Sequence, residues 1–510
     1  TAEQAEAWGG NPNAYVADEE EETYTARVSG ELLLDELCNS LEKSTCVCVL
    51  DAVERRCAEA TEARARGVQG WWRLREAALL AAGCVAEHLA TLAKSEREGK
   101  GGKGNQGAAA PGGVTARVRA LLDSLLAEDL QGSHSNPFLA GRALWGASRL
   151  LPLMSDAQAD VFLQAACAGV RSSLAAPLRI GACRALVKLL PRVGQAAAAA
   201  QQAAGGPAPA NPLAAAAAKL APMLPSLYEG LIMLLNESSE ETLHLVLETI
   251  RVVVKCDVGG GVVAQYLAQV AGPVLGVWEK HVADPLVGED ALGVLGALAA
   301  HTACLAPLAR EVLPALVRVV SHPSGQPPLM VEGALDLLRL LATARKRRGG
   351  TSAPAGDAEV AAQLAVVREV YMAAGAPLMA LINTSDDSSV QQSAQQLLCQ
   401  LVRSGRSELL TWAGGPPEAT VNALVGCAMR LLSGALGEAE SALAGHLVLE
   451  MMSALPQESL APHSAQLLGA VCQRLVRANM APLVSGLLLV LSRGVHDTRG
   501  GAAAFVDHLA

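Results

Sequence analysis

The side chains that most often carry chemistry are poorly spaced in this chain of 510 residues. Twelve cysteines are scattered along it, and the closest pair in sequence, Cys46 and Cys48, is spaced C-x-C. Residues i and i+2 do not share a face of a helix, so these thiols make a poor pair of metal ligands. The ten histidines are isolated. Because no Cys/His spacing of the structural zinc type occurs, we expect no metal, no cofactor and a reduced, intracellular compartment.

Sequence signatures of catalysis are missing as well. The stretch GKGGKGNQG has glycines and lysines but not the G-x-x-x-x-G-K-[ST] order of a phosphate-binding loop, and no strand precedes it. The chain has no G-x-S-x-G elbow and no H-E-x-x-H. We therefore predict that the protein is not an enzyme and has no catalytic residues. A catalytic group assembled across distant parts of the chain is the alternative that the sequence leaves open.

A run of acidic residues stands near the start of the chain. It consists of Asp18, Glu19, Glu20, Glu21 and Glu22. One interpretation is a hydrated charge run in a loop. The other is a surface for a basic protein, because clustered carboxylates raise the local potential and speed encounter with cations. The net charge of −10 argues against nucleic acid as the main partner and favours basic proteins.

Helical periodicity dominates the sequence, and alternating strand patterns do not occur. In LRIGACRALVKLLP, at 178–191, Leu178, Cys183 and Leu186 recur at helical spacing. Similar helices begin near 243, 287 and 330, which are 44 and 43 residues apart, and another apolar helix precedes most of them. This is the period of HEAT or armadillo repeats. The predicted fold is all-α, an α-solenoid (superhelix) of HEAT/armadillo-like helix-turn-helix repeats, with unrelated helical bundles as the alternative.

Low-complexity segments interrupt this array, because tracts of Gly, Pro, Ser or Ala cannot supply a core. HEAT-like repeats are predicted at 31–93, 114–193, 219–344 and 359–510. The segments between them are predicted to be an acidic loop between repeats at 1–30, a flexible insertion at 94–113, a low-complexity insertion at 194–218 and a basic, flexible insertion at 345–358. The poly-Ala tract in 194–218 has high helix propensity but nothing bulky to dock with. The charge-free window 291–309 could span a bilayer by length. Since it contains His301 and Pro307, we expect it to end one helix, turn and begin the next.

Two tryptophans open the stretch WWRLREAALLAAGCV at 71–85. Trp71 and Trp72 are adjacent and lie about 100° apart on a helix, so both cannot face the same core. One interpretation is that one ring packs against the neighbouring repeat while the other lies along the surface. The alternative is an aromatic anchor for a protein partner, since exposed tryptophan is a frequent hot spot.

A second distinctive stretch, NPFLAGRALWGASRL, occupies 136–150. We expect Trp145 to pack in the core. Arg142 and Arg149, seven residues apart, lie on one face of the helix, and together with Trp71 and Trp72 they form a candidate aromatic and basic surface. Solvent exposure is expected for both arginines, with carboxylate binding or capping of a neighbouring helix as alternatives.

With NPNAYVADEEEETYTARVSGELLLDEL at 11–37, these two stretches resemble the importin-beta (karyopherin-beta) superfamily. The Trp-Trp helix recurs in the superfamily, and the order of acidic Asn-Pro segment, Trp-Trp helix and Gly-Arg-Ala-Leu-Trp helix is similar to that of its importin-9 group. The low-complexity insertions depart from the family pattern. The resemblance covers the middle and part of the C-terminal region of such a receptor, so a fragment is expected.

The resemblance implies a nuclear import receptor that shuttles between cytoplasm and nucleus through the nuclear pore. Its cargo would be basic protein such as core histones or ribosomal proteins, and the acidic run would contact cargo or Ran. Ran in its GTP form would regulate it, with the main Ran site upstream of this chain. Phe-rich nuclear pore proteins are further implied partners, without direct nucleic acid binding or membrane insertion. The alternative is a HEAT scaffold for a multiprotein complex without a transport role.

Overall fold

A computed structural model of the chain describes residues 6, 8–20, 26–98, 112–130, 136–171, 173–206, 212–282, 284–343 and 357–497. Within these ranges the backbone is helical apart from short connections, and no strand occurs. The chain divides into two compact units, Thr1–Tyr266 and Leu267–Ala510.

The first unit contains two layers of helices. Its longer described helices are α1 (Pro12–Glu20), α2 (Ala26–Ala65), α3 (Trp71–Cys84), α4 (Ala86–Glu98), α5 (Val114–Ser124), α6 (Pro137–Arg149), α7 (Asp156–Gly169), α8 (Ala176–Ala203), α9 (Leu224–Glu237) and α10 (Glu240–Cys256). The second helix of each repeat packs against the next one, in the order α3, α6, α8 and α10. Each repeat thus buries its apolar face against its neighbours, as in a solenoid.

Helix α2 cannot be straight, although its backbone is helical throughout. Thr45 Oγ1 donates a hydrogen bond to the Leu37 carbonyl at 3.2 Å, and the Sγ atoms of Cys38 and Cys46 lie 3.9 Å apart. Eight residues of straight helix rise about 12 Å, which side chains this short cannot bridge. The helix is therefore bent sharply between Leu37 and Cys46.

Contacts at the two ends of α2 indicate that the bend reverses the chain. Arg27, near the start, has its Nη1 3.2 Å from Glu76 Oε1. Thr61, near the end, has its Oγ1 3.5 Å from Arg75 Nη1. In a straight helix Arg27 and Thr61 would lie about 51 Å apart. Since they meet adjacent residues of α3, the helix folds back and both of its arms pack along α3.

The close packing of α6 on α8 depends on two glycines. A Cβ on Gly141 would lie 2.3 Å from the Pro177 carbonyl oxygen, and a Cβ on Gly181 would lie 2.4 Å from the Gly141 carbonyl oxygen. The start of α6 is set by Asn136, whose side chain accepts a hydrogen bond from the Leu139 backbone N–H. This is an ordinary N-cap, and it fixes where α6 meets its neighbours.

The second unit repeats the same two-layer plan. Its longer described helices are α11 (Val263–Lys280, most of which lies in this unit), α12 (Pro285–Ala299), α13 (Thr302–Ser321), α14 (Pro328–Leu341), α15 (Asp357–Thr384), α16 (Ser388–Gly405), α17 (Pro417–Leu432), α18 (Ala444–Ala454), α19 (Ser464–Arg477) and α20 (Ala481–Asp497). Second helices pack in the order α12, α14, α16, α18 and α20, and first helices in the order α13, α15, α17 and α19. The predicted all-α solenoid of HEAT-like repeats is thereby confirmed.

The window 291–309 is divided as predicted, because α12 ends at Ala299 and α13 begins at Thr302. Among the described residues, Val360–Thr384 within α15 is long and apolar enough to cross a membrane, and half of its most apolar window is buried inside the protein. The pair α3 and α4 passes the same test together, bent by 59°. Interior helices of a repeat array also pass such a test, since they are apolar on most faces.

Two predicted loops are wrong in part. Within 1–30, residues 12–20 and 26–30 are helical rather than loop. Within 194–218, α8 continues to Ala203, and the chain from Pro212 packs against it. A Cβ on Gly194 would lie 2.4 Å from the Pro212 carbonyl oxygen, and Ala198 is buried. The Ala/Gly tract does dock, because small side chains let two backbones approach closely.

The other two predicted insertions fall largely outside the described residues. Of 94–113, residues 94–98 complete α4 and residues 99–111 lie outside; of 345–358, only residues 357 and 358 are described, at the start of α15.

Candidate protein-binding surface

The negative charge of the chain is concentrated in residues 12–65. This segment holds thirteen of the fifty carboxylates but only five of the forty arginines and lysines. The remainder of the chain is close to neutral. In the structure, the exposed carboxylates of α2 include Asp35, Glu36, Asp51, Glu54 and Glu62. Such an excess of one sign creates a local potential that attracts cations.

Several of these carboxylates are held in place by neighbours. Arg117 of α5 reaches Asp51 Oδ1 at 2.6 Å and Glu54 Oε2 at 2.7 Å through one Nη2, and its Nε reaches Glu54 Oε1 at 2.8 Å. The hydrogen bonds that Arg117 donates to Glu54 and Asp51 raise the pKa of Arg117 above its ordinary value. His88 Nε2 lies 3.0 Å from Asp35 Oδ1. Some carboxylates on the acidic face of α2 are therefore held in place by neighbouring side chains.

Exposed leucines lie near Asp35 and Glu36 in the sequence of α2, two on the same arm and one in the bend. Leu32, Leu33 and Leu41 are 59%, 58% and 59% exposed. An apolar patch rimmed by charges is typical of a protein-binding surface. The combination suits a partner that presents both basic and apolar side chains.

The predicted acidic run lies at the end of α1. Asp18, Glu19 and Glu20 form its last residues, and their side chains are outside the described set; Glu21 and Glu22 lie outside the described residues altogether. The C-terminal end of a helix carries a partial negative charge.

Trp71 and Trp72 are both half-buried at the start of α3. The Trp72 ring stacks on Phe138 of α6, with centroids 5.6 Å apart and planes 15° apart. The guanidinium of Arg64 lies over the Trp71 ring, with its central carbon 4.9 Å from the ring centroid. Trp72 thus contacts the next repeat, while Trp71 lies against the end of α2. Neither ring is a fully exposed anchor.

Arg142 was expected to be exposed, and this is wrong. It is 4% exposed; its Nε donates to Glu76 Oε1 at 2.8 Å, and its guanidinium lies 4.7 Å above the Trp145 ring. Its side chain is enclosed between α6 and α3, because it binds Glu76 on α3 and lies over a ring of its own helix. The structure matches the alternative interpretation, in which Arg142 binds a carboxylate, and that carboxylate belongs to Glu76 of the same chain.

Arg149, at the end of the same helix, is exposed. Its Nε lies 3.5 Å from the Gly83 carbonyl, near the C-terminal end of α3, and its Nη2 lies 3.7 Å from Glu87 Oε1. An arginine beside a helix C-terminus interacts favourably with the last carbonyls. The two arginines therefore do not form one basic surface.

A buried ion pair that the sequence did not indicate joins α3 to the π-helical turn Leu125–Leu130. Arg75 Nε donates to Asp129 Oδ2 at 2.8 Å, and Arg75 Nη2 donates to Ser124 Oγ at 3.2 Å. Burial raises the pKa of Asp129 from 3.8 to about 6, against the opposing effect of Arg75. The Oδ1 atom of Asp129 has no hydrogen-bond partner among the described residues. The pair is structural, because both side chains are enclosed.

The described part of the chain was predicted to hold no metal site. Within those ranges no group of three or more His, Cys, Asp or Glu side chains is placed to hold a metal ion. Burial raises the pKa of several thiols, Cys183 and Cys399 to about 12, which keeps them protonated and unreactive.

No known family model matches the sequence. Among solved structures, the chain is similar to Kap121p bound to Nup53p, with 13% identity and a TM-score of 0.44 over 94% of this chain and 47% of that one. It is also similar to Kap121p bound to Ste12p, with 14% identity and a TM-score of 0.43 over 94% of this chain and 45% of that one. Importin beta gives 12% identity and a TM-score of 0.38 over 96% of this chain and 62% of that one. The chain spans about half the length of Kap121p, and these likenesses concern the helical architecture alone.

Proposed function

We propose that this chain is part of a nuclear import receptor of the importin-beta superfamily, and that it takes up basic protein cargo on residues 12–65. The observation that carries the proposal is the concentration of charge, thirteen carboxylates against five basic side chains, within that segment. The Asn-Pro motif at 11–37, which overlaps this segment, resembles the superfamily, and the two other motifs follow it in the importin-9 order.

The physical basis of cargo uptake is collective. A single exposed ion pair contributes at most about 1 kcal/mol. A cluster acts through its summed potential, which speeds encounter and rejects acidic partners. Leu32, Leu33 and Leu41 supply apolar area beside the carboxylates. A basic protein with apolar side chains would then bind in preference to a bare polycation.

Control by Ran belongs to the proposal as well. Each repeat contacts mainly its neighbours, so small shifts between repeats would let the stack open and close on cargo. Ran in its GTP form would change cargo affinity only if it binds one of these states better than the other. Its main site would lie outside this chain, and Phe-rich pore proteins would bind elsewhere on the receptor.

The test is an anisotropy titration of the purified chain with a labelled core-histone dimer, at low and at moderate salt. Binding that weakens with salt, and that an acidic protein of similar size does not reproduce, would support a receptor for basic cargo. Absence of binding at low salt would overturn the proposal and leave a HEAT scaffold as the better description of this chain.

A further inference from the structure

The N-terminal edge of the second-helix layer in the first unit is crossed by a single segment, residues 8–17. Trp72 is the second residue of α3, Phe138 is the second residue of α6, and Ser239 is the N-cap of α10. All three lie where a second helix begins, and all three contact residues 8–17 or an aromatic ring that does. Helix α1 also packs against α8. One short segment therefore contacts the starts of α6 and α10 and packs against α8, which lies between them.

Aromatic rings make the first part of this connection. The Tyr15 ring lies 6.5 Å from Phe138, and the Trp8 ring lies 6.2 Å from Phe138 and 6.0 Å from Tyr15. Phe138 in turn stacks on Trp72. Rings at these separations interact favourably beyond their simple burial. The segment is thus joined to α6 directly and to α3 through Phe138.

The side-chain amide of Asn13 makes the second part of the connection. Its Nδ2 donates to the Glu237 carbonyl at 2.9 Å, and its Oδ1 accepts from the Ser239 backbone N–H at 2.7 Å. These backbone groups belong to the link between α9 and α10, where helix ends leave donors and acceptors unsatisfied. A primary amide supplies one donor and one acceptor together, which few other side chains can do. Asn13 therefore links two segments that lie more than 220 residues apart in the sequence.

The burial of this segment is confined to a few side chains. Pro12, Tyr15 and Val16 are buried, whereas Asn11 is exposed and Asn13 and Ala14 are half-buried. A nine-residue helix is too short to be stable alone in water, so the order of α1 depends on its docking. Docking and folding of the segment are accordingly one event, and a limited set of contacts controls it.

We propose that residues 8–17 are a releasable clasp that sets the spacing of α6, α8 and α10. Repeat arrays are normally coupled only between neighbours. The clasp contacts three successive second helices at once, so its release loosens α6, α8 and α10 together. This inference is independent of the identity of the cargo and requires no partner.

Hydrogen exchange of the full chain tests the clasp. The release variant is N13A/Y15A, and the control is N39A, which removes an exposed amide whose side chain donates to Asp35 on its own helix. We expect about tenfold faster exchange in the second turns of α6 and α10, where the amides are first protected by the helix, in the release variant but not in the control. Faster exchange confined to residues 8–20, or none at all, would overturn the proposal.

A peptide added in trans tests whether the clasp is separable. The probe is a labelled synthetic peptide of residues 6–20, with the N13A/Y15A peptide as its control. The release variant should bind the probe and regain slow exchange, while the native chain, whose edge is already filled, binds it about tenfold more weakly. If the probe binds neither protein, or if the control peptide binds equally well, no clasp site exists. Neither experiment contains a basic protein, so its failure is distinct from failure of the proposed function.

Discussion

Buried charge at single residues is the feature that separates this chain from a generic apolar repeat. Arg75 and Asp129 are 2% and 4% exposed, and they bind each other. Asp129 also leaves one oxygen without a partner among the described residues. Such a pair adds little net stability compared with apolar side chains of similar size, but it is costly to break.

Removing one partner of this pair should destabilise the first unit strongly. We expect R75A to lower the free energy of unfolding by about 3–5 kcal/mol, because Asp129 is left buried without its cation. The double variant R75M/D129L should recover most of this loss. Denaturant unfolding measures the free energy of unfolding of both variants. R56A is the control, since Arg56 is exposed, and it should change stability by about 0.5 kcal/mol or less. Equal losses in R56A and R75A would contradict the assignment of the buried pair.

The pKa of Asp129 predicts a pH dependence with a definite sign. Burial raises this pKa from 3.8 to about 6, so the folded protein holds the proton more tightly than the unfolded chain does. The contribution of Asp129 to stability is then greatest below about pH 4 and is lost as the pH rises through about 6. The stability of the native chain relative to D129N should fall over this window and level off above it. A difference that stays flat, or grows with pH, in denaturant unfolding at several pH values would show that Asp129 does not titrate there.

At the scale of elements, the contact between α6 and α8 rests on the absence of a side chain. A Cβ on Gly141 would meet the backbone of Pro177 at 2.3 Å, whereas a Cβ on Gly146, in the same helix, would lie 3.8 Å from the Leu79 carbonyl oxygen. We expect G141A to destabilise the first unit by about 1–3 kcal/mol through overpacking. G146A should be neutral or stabilising by up to about 1 kcal/mol, as alanine favours a helix. Thermal or denaturant unfolding compares the two, and a reversed order would mean that α6 and α8 do not approach as described.

How much of the fold is predictable depends on the element. The helices near 243, 287 and 330 follow from periodicity alone, because each presents one apolar face to its neighbours. The reversal in α2 does not, since LEKS at 41–44 contains neither Gly nor Pro. Tertiary contacts along α3, such as Arg27 with Glu76, impose it instead. The docking of the Ala/Gly tract was missed for a related reason: small side chains give no periodic signal yet allow the closest packing.

The candidate site, like the fold, could be predicted from the sequence only in part. The acidic run could be read from the sequence as a concentration of charge, but its place at the end of α1 could not. Arg142 illustrates the limit, because its helical position alone suggested exposure, whereas Glu76 and Trp145 enclose it. Arg75, Leu79 and Gly83 recur every four residues, a spacing that could have indicated a buried arginine. The partner Asp129 could not be found this way, since a π-helical turn shifts the register.

At the scale of the whole molecule, the position of the charge matters more than its amount. The chain carries fifty carboxylates, and only those near the N-terminus stand in clear excess over basic residues. A receptor for basic cargo requires this asymmetry, while a uniformly acidic protein would attract cations weakly everywhere. Two variants with equal net charge can therefore separate the two possibilities.

The most direct measurement is the affinity for a labelled core-histone dimer of two charge-matched variants. One changes Asp18 to Asn and Glu19, Glu20, Glu21 and Glu22 to Gln. The other changes five exposed carboxylates of the second unit to Gln: Glu311, Glu369, Glu408, Glu418 and Glu458. We predict that the first loses about tenfold or more in affinity at moderate salt and that the second changes by less than about twofold. Equal losses in both variants, or no loss in the first, would contradict a cargo surface on residues 12–65.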